Sequence, residues 1–265
     1  MKQKVAFILP VYNEKISTLN KILKQLSRFN VKIIIIDDGS KVPISREDFK
    51  SDVIILRNRK NRGLIYAIKK GFRYCLSKGY SHVIKLDGDD QNNINKLNEA
   101  FEQLGRYDLI NLSYDKEQTV FSIKKDFFVY SSLLYLASGV YYFDFLSEFR
   151  IYNKKSMKLY IREFKNQNNY SSSLFLIDVI REGLSIYTIK GGTLYPEEKM
   201  RPFPIDGLIA LRMTFIRKLL SFNTLRAYLA VVVSAPVLFL HLVVNLVFFN
   251  KYNSLLTKKK VRKRK

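Results

Sequence analysis

In three places the chain collects acidic or polar side chains directly after an apolar run: Tyr12-Asn13-Glu14, Asp37-Asp38-Gly39-Ser40 and Asp87-Gly88-Asp89-Asp90-Gln91. Two aspartates one residue apart at a strand end point the same way and can share a hard cation such as Mg2+ or Mn2+, which oxygen ligands hold without an all-protein cage. Asp87 and Asp89 have that spacing, with Asp90 and Gln91 as auxiliary ligands or sugar-contacting groups. The chemistry such a cation serves is neutralisation of a diphosphate leaving group. Alone, an acidic pair of this kind is a weak signal, because acidic turns after strands are common.

The elements around these clusters give them a common location. Val5 to Leu9, closed by Pro10, reads as a buried strand, and Ile16, Leu19, Leu23 and Leu26 then recur at helical spacing. Further apolar runs at Val31 to Ile36, Val53 to Leu56, Val83 to Leu86 and Asp108 to Leu112 read as strands, with helices expected over 64–76 and 95–104. Continuous apolar strands alternating with helices predict a mainly parallel sheet covered on both faces. Ligands of such sheets bind beyond the carboxyl ends of the strands, and all three polar clusters fall there. Beyond residue 120 the pattern predicts helices over 121–145, 155–164 and 173–181 and a strand over 184–189.

The chain has 265 residues, 47% hydrophobic, and a formal charge of +23, so one main domain and a phosphate-bearing or anionic partner are expected. Residues 251–265 carry eight basic side chains and no acid, directly after Ala227 to Phe249, 23 residues without Asp, Glu, Lys or Arg. That run is long enough to cross a bilayer, which needs roughly 20 residues. An apolar stripe through Leu208, Leu211, Phe215 and Leu219, with Arg212, Arg217 and Lys218 among it, reads as an interfacial helix. A single crossing would put the basic tail on the far side, and Pro236 sits mid-segment, so a re-entrant hairpin with both flanks in the cytoplasm is the alternative. The N-terminus lacks a signal-peptide pattern and the lone cysteine, Cys75, excludes an intrachain disulfide; both fit a membrane-attached protein whose catalytic part is cytoplasmic. Many of the 17 Tyr and 19 Phe sit in apolar runs rather than among basic residues, which argues against nucleic acid as the partner.

The strings Ile8-Leu9-Pro10-Val11-Tyr12-Asn13-Glu14, Ile36-Asp37-Asp38-Gly39-Ser40, Asn61-Arg62-Gly63 and Leu86-Asp87-Gly88-Asp89-Asp90-Gln91, in this order, resemble family 2 glycosyltransferases of the GT-A fold over residues 4–112. Within that family the chain is most similar to the dolichyl and polyprenyl-phosphate sugar synthases. The resemblance implies a UDP- or GDP-sugar donor. Pro10, Tyr12 and Glu14 would form the loop at the nucleobase and ribose, Asp38 with Gly39 and Ser40 the base or ribose contact, and Arg62 with Gly63 the stretch that closes over the nucleotide. Asp87 and Asp89, with Gln91 as a further ligand, would hold Mg2+ or Mn2+.

Asp144-Phe-Leu-Ser147-Glu148-Phe149-Arg150 is similar to the D-x-x-S-G-F-R segment of the polyprenyl-phosphate enzymes, which lies near the acceptor phosphate; Glu148 stands where that pattern has glycine. By this likeness Asp144 and Arg150 join Asp89 as expected catalytic residues and Glu148 lines the acceptor; Arg201, followed by Pro202-Phe203-Pro204 where those enzymes have an Arg-x-x-Gly-Ser element, is a further expected acceptor contact. A lipid-phosphate acceptor needs no strong general base, whereas a glycan hydroxyl would draw on Asp144 or Glu148. The implied organisation is a GT-A domain over 1–205, a juxtamembrane amphipathic helix over 206–224, a transmembrane or re-entrant segment over 225–250 and a basic cytoplasmic tail over 251–265. Membrane lipids are expected partners, and a homo-oligomer is compatible with the sequence.

Overall fold

The computed structural model describes residues 3–87, 92–114, 121–142, 144, 147–164, 174–193, 205–232 and 236. In chain order the elements are β1 Val5–Val11, α1 Ile16–Leu26, β2 Lys32–Asp37, β3 Val53–Arg57, α2 Leu64–Ser77, β4 His82–Lys85, α3 Leu97–Glu102, β5 Leu109–Tyr114, α4 Phe121–Ser138, β6 Arg150–Asn153, α5 Lys154–Glu163, α6 Phe175–Arg181, β7 Ile186–Thr193 and α7 Ile205–Leu220. The expected α/β architecture is present: the strands form one sheet in the order β3-β2-β1-β4-β6-β5-β7, and its pairings are parallel except those of β6.

Alternation along each strand divides the core between two faces. Phe7, Leu9, Ile33, Ile35, Ile84, Ile110 and Ile151 share one buried cluster with Leu19, Ile22, Leu23 and Leu26 of α1 and Leu97 and Ala100 of α3. On the other face Phe72 of α2 meets the rings of Tyr152 and Tyr160 at 4.8 and 5.2 Å, and Tyr160 meets Phe175 of α6 at 5.0 Å. Each fully buried side chain of this size contributes roughly 1.5–3 kcal/mol. Cys75 lies wholly inside, where burial pushes its thiol up to about 12 and leaves it unreactive at neutral pH.

Two local outcomes differ from the sequence expectation. Strand β1 does not stop at Pro10 but pairs through it, Pro10 opposite Ile36 and Val11 opposite Asp37. The Ile8 carbonyl accepts from Leu86 and the Val11 carbonyl from Asp38, so alternation turns Pro10 toward β4. The β1 and β4 ladder has already ended at Ile8 opposite Lys85, so the missing proline N–H forfeits no ladder bond. The second difference is β6, four residues that carry no strand signal of their own and run antiparallel between β4 and β5. It passes straight into α5 because Asn153 ends the strand and caps the helix, its side chain accepting from the amides of Lys155 and Ser156.

The chain divides into two compact units, Met1–Phe128 with Phe143–Glu197, and Val129–Tyr142 with Glu198–Lys265. The second unit thus joins 129–142 to the C-terminal residues. In the second unit Tyr130 packs edge-on against Phe215 at 4.6 Å, and Leu134, Ala137, Leu219, Ala227 and Ala230 are buried with them. Residues 225–232 are helical. Among the described residues no helix is long and apolar enough to cross a membrane. Most of the expected membrane segment over 225–250, and all of the basic tail, lie outside the described residues.

Candidate active site

Strand order reverses direction on the two sides of β1, which pairs β2 on one side and β4 on the other. This is the switch point at which α/β sheets open a crevice beyond their carboxyl ends. The loops after β1, β2 and β4 meet that rim, and so does the start of β6, because it runs the opposite way.

The first two loops are tied by reciprocal bonds. Asn13, at φ 56°, donates its amide to Ser40 Oγ at 2.9 Å, and its Oδ1 accepts from the Lys41 amide at 2.9 Å. Asp37 is fully buried beneath them. Its Oδ1 accepts from the Ser40 amide at 2.8 Å, and its Oδ2 accepts from the Ile44 amide and forms an ion pair with Arg57, whose other nitrogen donates to the Ser40 carbonyl at 2.9 Å. Burial alone would raise the Asp37 carboxyl, but the hydrogen bonds from Ser40 and Ile44 and the Arg57 charge outweigh it and hold the group below its ordinary range.

Asp38 is equally committed. One oxygen accepts from Asn58 Nδ2 at 2.7 Å, and the pair receives the amides of Arg62 at 3.1 and 3.2 Å and of Gly63 at 2.7 Å. It thereby draws the 58–63 loop over Gly39, where an added Cβ would lie 2.4 Å from the Lys60 carbonyl carbon; Gly39 is required by this approach as well as by its φ of 78°. Gly63, at φ 88°, opens α2. The Arg62 guanidinium stacks 3.8 Å from the Tyr66 ring centroid and donates to its hydroxyl at 2.8 Å. Tyr12 is 43% exposed at the rim, Glu14 is half-buried, and Pro10 is buried.

At the β4 end the Asp87 amide donates to Asn92 Oδ1 at 2.7 Å. Its carboxylate Oδ1 accepts from Lys85 Nζ at 2.5 Å, while Oδ2, among the described residues, has a 3.5 Å contact with Asn92 Nδ2. Lys85 is fully buried and donates also to Glu148 Oε2 at 3.0 Å. Burial works against its charge, but Asp87 and Glu148 prevail and raise its proton affinity, so the ammonium is retained. Directly across the β4 and β6 pairing from Lys85 lies Arg150, also fully buried, whose Nε donates to Asn111 Oδ1 of β5 at 3.1 Å. Opposed residues of an antiparallel pair share a face, so Lys85, Arg150 and Asn111 form a polar row across three strands. Among the described residues the buried Asn111 Nδ2 finds no partner. Asp144, also buried, accepts from the Ser147 amide at 3.0 Å, and Ser147 Oγ donates to the Leu112 carbonyl at 2.6 Å.

The expected nucleotide residues Pro10, Tyr12, Glu14, Asp38, Gly39, Ser40, Arg62 and Gly63 therefore gather at one rim with Asp87, and the 144–150 segment reaches that rim through Glu148. Asp89, Gln91 and Arg201 lie outside the described residues. Asp87 suits a hard cation: it is an oxygen donor at a strand end with one oxygen pinned and the other lightly engaged. Among the described residues no group of three or more His, Cys, Asp or Glu forms a metal cluster. Sequence reading did not single out Asn58, Lys85 or Asn111. Lys85 had a signal, a lone cation in the apolar run Val83-Ile84-Lys85-Leu86, because a charge in a buried strand requires partners.

Comparison with known proteins agrees with this architecture. Residues 6–160 match the family model for Glycosyl transferase family 2. Uncharacterized protein MJ0544 of Methanocaldococcus jannaschii is 41% identical over 91 residues, which is 32% of this chain and 39% of that protein. Uncharacterized protein MJ1222 of the same organism is 26% identical over 214 residues, 75% of this chain and 85% of the relative. Among solved structures, glucosyl-3-phosphoglycerate synthase from Mycobacterium tuberculosis, in complex with Mn2+, UDP and phosphoglyceric acid, superposes with a TM-score of 0.60 at 16% identity, covering 83% of this chain and 78% of that one. S. aureus TarS 1-349 superposes with a TM-score of 0.53 at 17% identity, covering 85% and 68%. At such identities the structural likeness speaks for the fold.

Proposed function

The chain belongs to glycosyl transferase family 2, and from that membership we propose that it transfers a sugar from a UDP- or GDP-sugar to a polyprenyl phosphate at the cytoplasmic face of a membrane. The observation that carries the donor half is the lacing of the loops after β1 and β2 into one rim beside Asp87. Tyr12 offers an exposed ring for a nucleobase, Asp38 fixes the 58–63 loop above the ribose position, and Arg62 presents a stacked guanidinium at the start of α2. A divalent cation held by Asp87, with Asp89 and Gln91, would supply charge neutralisation at the diphosphate. The chain's own residues orient the donor so that an acceptor oxygen attacks the anomeric carbon in line, forming the new glycosidic bond as the bond to the diphosphate oxygen breaks, with inversion. That the solved synthase was crystallised with Mn2+ and UDP supports a divalent ion in a site of this fold.

The acceptor half turns on the available bases. Among the described residues the two expected candidates are both engaged, Glu148 by Lys85 and Asp144 by the Ser147 amide. An acceptor that arrives as a phosphate anion needs no base, and this favours the lipid phosphate over a glycan hydroxyl. Membrane attachment is supported by the apolar run of 227–249, by the eight basic residues of the tail, and by the exposed Tyr135, Leu136, Leu225, Leu229 and Val232 of the second unit. Arg150 is buried on Asn111 and on that account braces the acceptor segment from beneath.

The test incubates membranes carrying the full chain with radiolabelled nucleotide-sugars and Mn2+ or Mg2+, followed by extraction into organic solvent. Label in a mild-acid-labile lipid is the expected result. Label confined to water-soluble glycan replaces the lipid phosphate with a hydroxyl acceptor, and absence of metal-dependent turnover with every donor overturns the reading.

A further inference from the structure

Glu148 departs from the glycine of the segment it resembles, and Lys85 is a cation in an otherwise apolar strand. The structure joins these two departures. Lys85 Nζ lies 2.5 Å from Asp87 Oδ1 and 3.0 Å from Glu148 Oε2, with the lysine side chain 1% exposed and the glutamate 18%. We propose that Lys85 and Glu148 are a compensating pair that positions Asp87 and preserves its charge for a divalent cation.

The reasoning rests on the donor-site reading above and on charge. A buried ammonium in contact with a single carboxylate would neutralise it, because attraction at this distance is strong where water is excluded. Asp87 would then offer a cation little. Glu148 changes that by sharing the ammonium. Among the described acidic and basic side chains of the β4 end and the 144–150 segment, Asp87, Asp144 and Glu148 stand against Lys85 and Arg150, and Glu148 is the acid that the resembled pattern lacks. The bond to Lys85 also fixes the carboxylate in place: with Oδ1 held and the Asp87 amide fastened to Asn92, Oδ2 is, among the described contacts, the less engaged oxygen. Lys85 is a positioning residue in this scheme. It is too buried to touch a diphosphate and acts through Asp87. A second consequence is geometric: the pair spans 63 positions in sequence and ties the acceptor segment to the cation end of the donor site.

The test is binding of Mn2+ in the presence of UDP, and separately of GDP, followed by loss of the free-ion paramagnetic resonance signal, which requires no turnover. Glu148→Gln keeps the side-chain shape and its acceptor for Lys85, and is expected to weaken Mn2+ binding about tenfold or more, as partners of metal ligands do. Lys85→Met combined with Glu148→Gln removes both charges and is expected to recover part of the affinity lost in the single variant, the remainder being the positioning that Lys85 supplies. Wild-type affinity in Glu148→Gln overturns the pair, and so does a double variant as weak as the single one. Should the double variant fail to fold by circular dichroism, Glu148→Asp decides: it keeps the charge and should bind near the wild-type level, whereas weakening equal to Glu148→Gln overturns the proposal. No Mn2+ binding by the wild type with either nucleotide removes the donor-site reading itself.

Discussion

The Asp37 and Asp38 carboxylates behind the rim after β1 and β2 and the row across β4, β6 and β5 are both polar and both buried, but they are held differently. In the first, Asp37 and Asp38 spend their oxygens on backbone amides of Ser40, Ile44, Arg62 and Gly63, so fixed dipoles shape the loops. In the second, Lys85 and Arg150 sit opposite one another and are balanced by side chains, Asp87, Glu148 and Asn111. Amide-bound carboxylates, each with one side-chain partner besides, Arg57 on Asp37 and Asn58 on Asp38, give a cradle held mainly by the backbone. A row of buried charges depends on every member, because removing one leaves another uncompensated.

The largest expected effect is on chemistry. Asp87→Ala and Asp89→Ala should each lower turnover by roughly 10²–10³ or more, the scale seen when a group that stabilises the leaving charge is removed. Asp89→Ala should stay folded, whereas Asp87→Ala should also lose stability, because the buried Lys85 is left with one carboxylate fewer. Retained activity in either would move the cation site elsewhere and leave the β4 row a purely structural feature.

The next effect is on stability and separates the two regions directly. Arg150→Met strips the buried row of one cation and leaves the Asn111 carbonyl without its donor, at a cost of about 3 kcal/mol or more in denaturant unfolding. Gly39→Ala acts on the cradle. Its Cβ must displace the Lys60 backbone at a positive φ, so a loss of roughly 1–3 kcal/mol is expected together with a raised donor KM as the 58–63 loop lifts. Equal losses without a KM change in Gly39→Ala would mean that the loop does not cover the nucleotide.

The two regions also differ in how far the sequence shows them. The cradle was legible because its parts are local: Asp37-Asp38-Gly39-Ser40 ends an apolar strand, and a glycine in such a turn marks a required backbone conformation. What the string does not reveal is where the carboxylates point: Asp38 is engaged with Asn58, Arg62 and Gly63. The parallel strands were legible as apolar runs. Strand β6 was not, because Arg150-Ile-Tyr-Asn153 is short, begins with a charge and runs straight into α5. Without β6 in the sheet, nothing brings Glu148 to Lys85, and the partners of that lysine stay hidden.

The smallest effect is the pH dependence that Asp37 contributes, and it tests whether the cradle is electrostatically tuned or only shaped. Its folded-state proton affinity lies below the ordinary value: burial opposes this, and Ser40, Ile44 and Arg57 overcome it. A depressed carboxyl makes the unfolded chain take up its proton first as pH falls, so this stabilisation is complete above the ordinary aspartate range near about 4 and is lost as pH drops through and below it. Asp37→Asn removes the titration while keeping most of the shape. Melting temperatures followed from pH 7 to pH 3 should therefore fall more steeply for the wild type than for the variant. Parallel curves would mean that the Ser40 and Ile44 amides hold an asparagine as well as an aspartate, and that in the cradle geometry, rather than charge, is what the Asp37 position supplies.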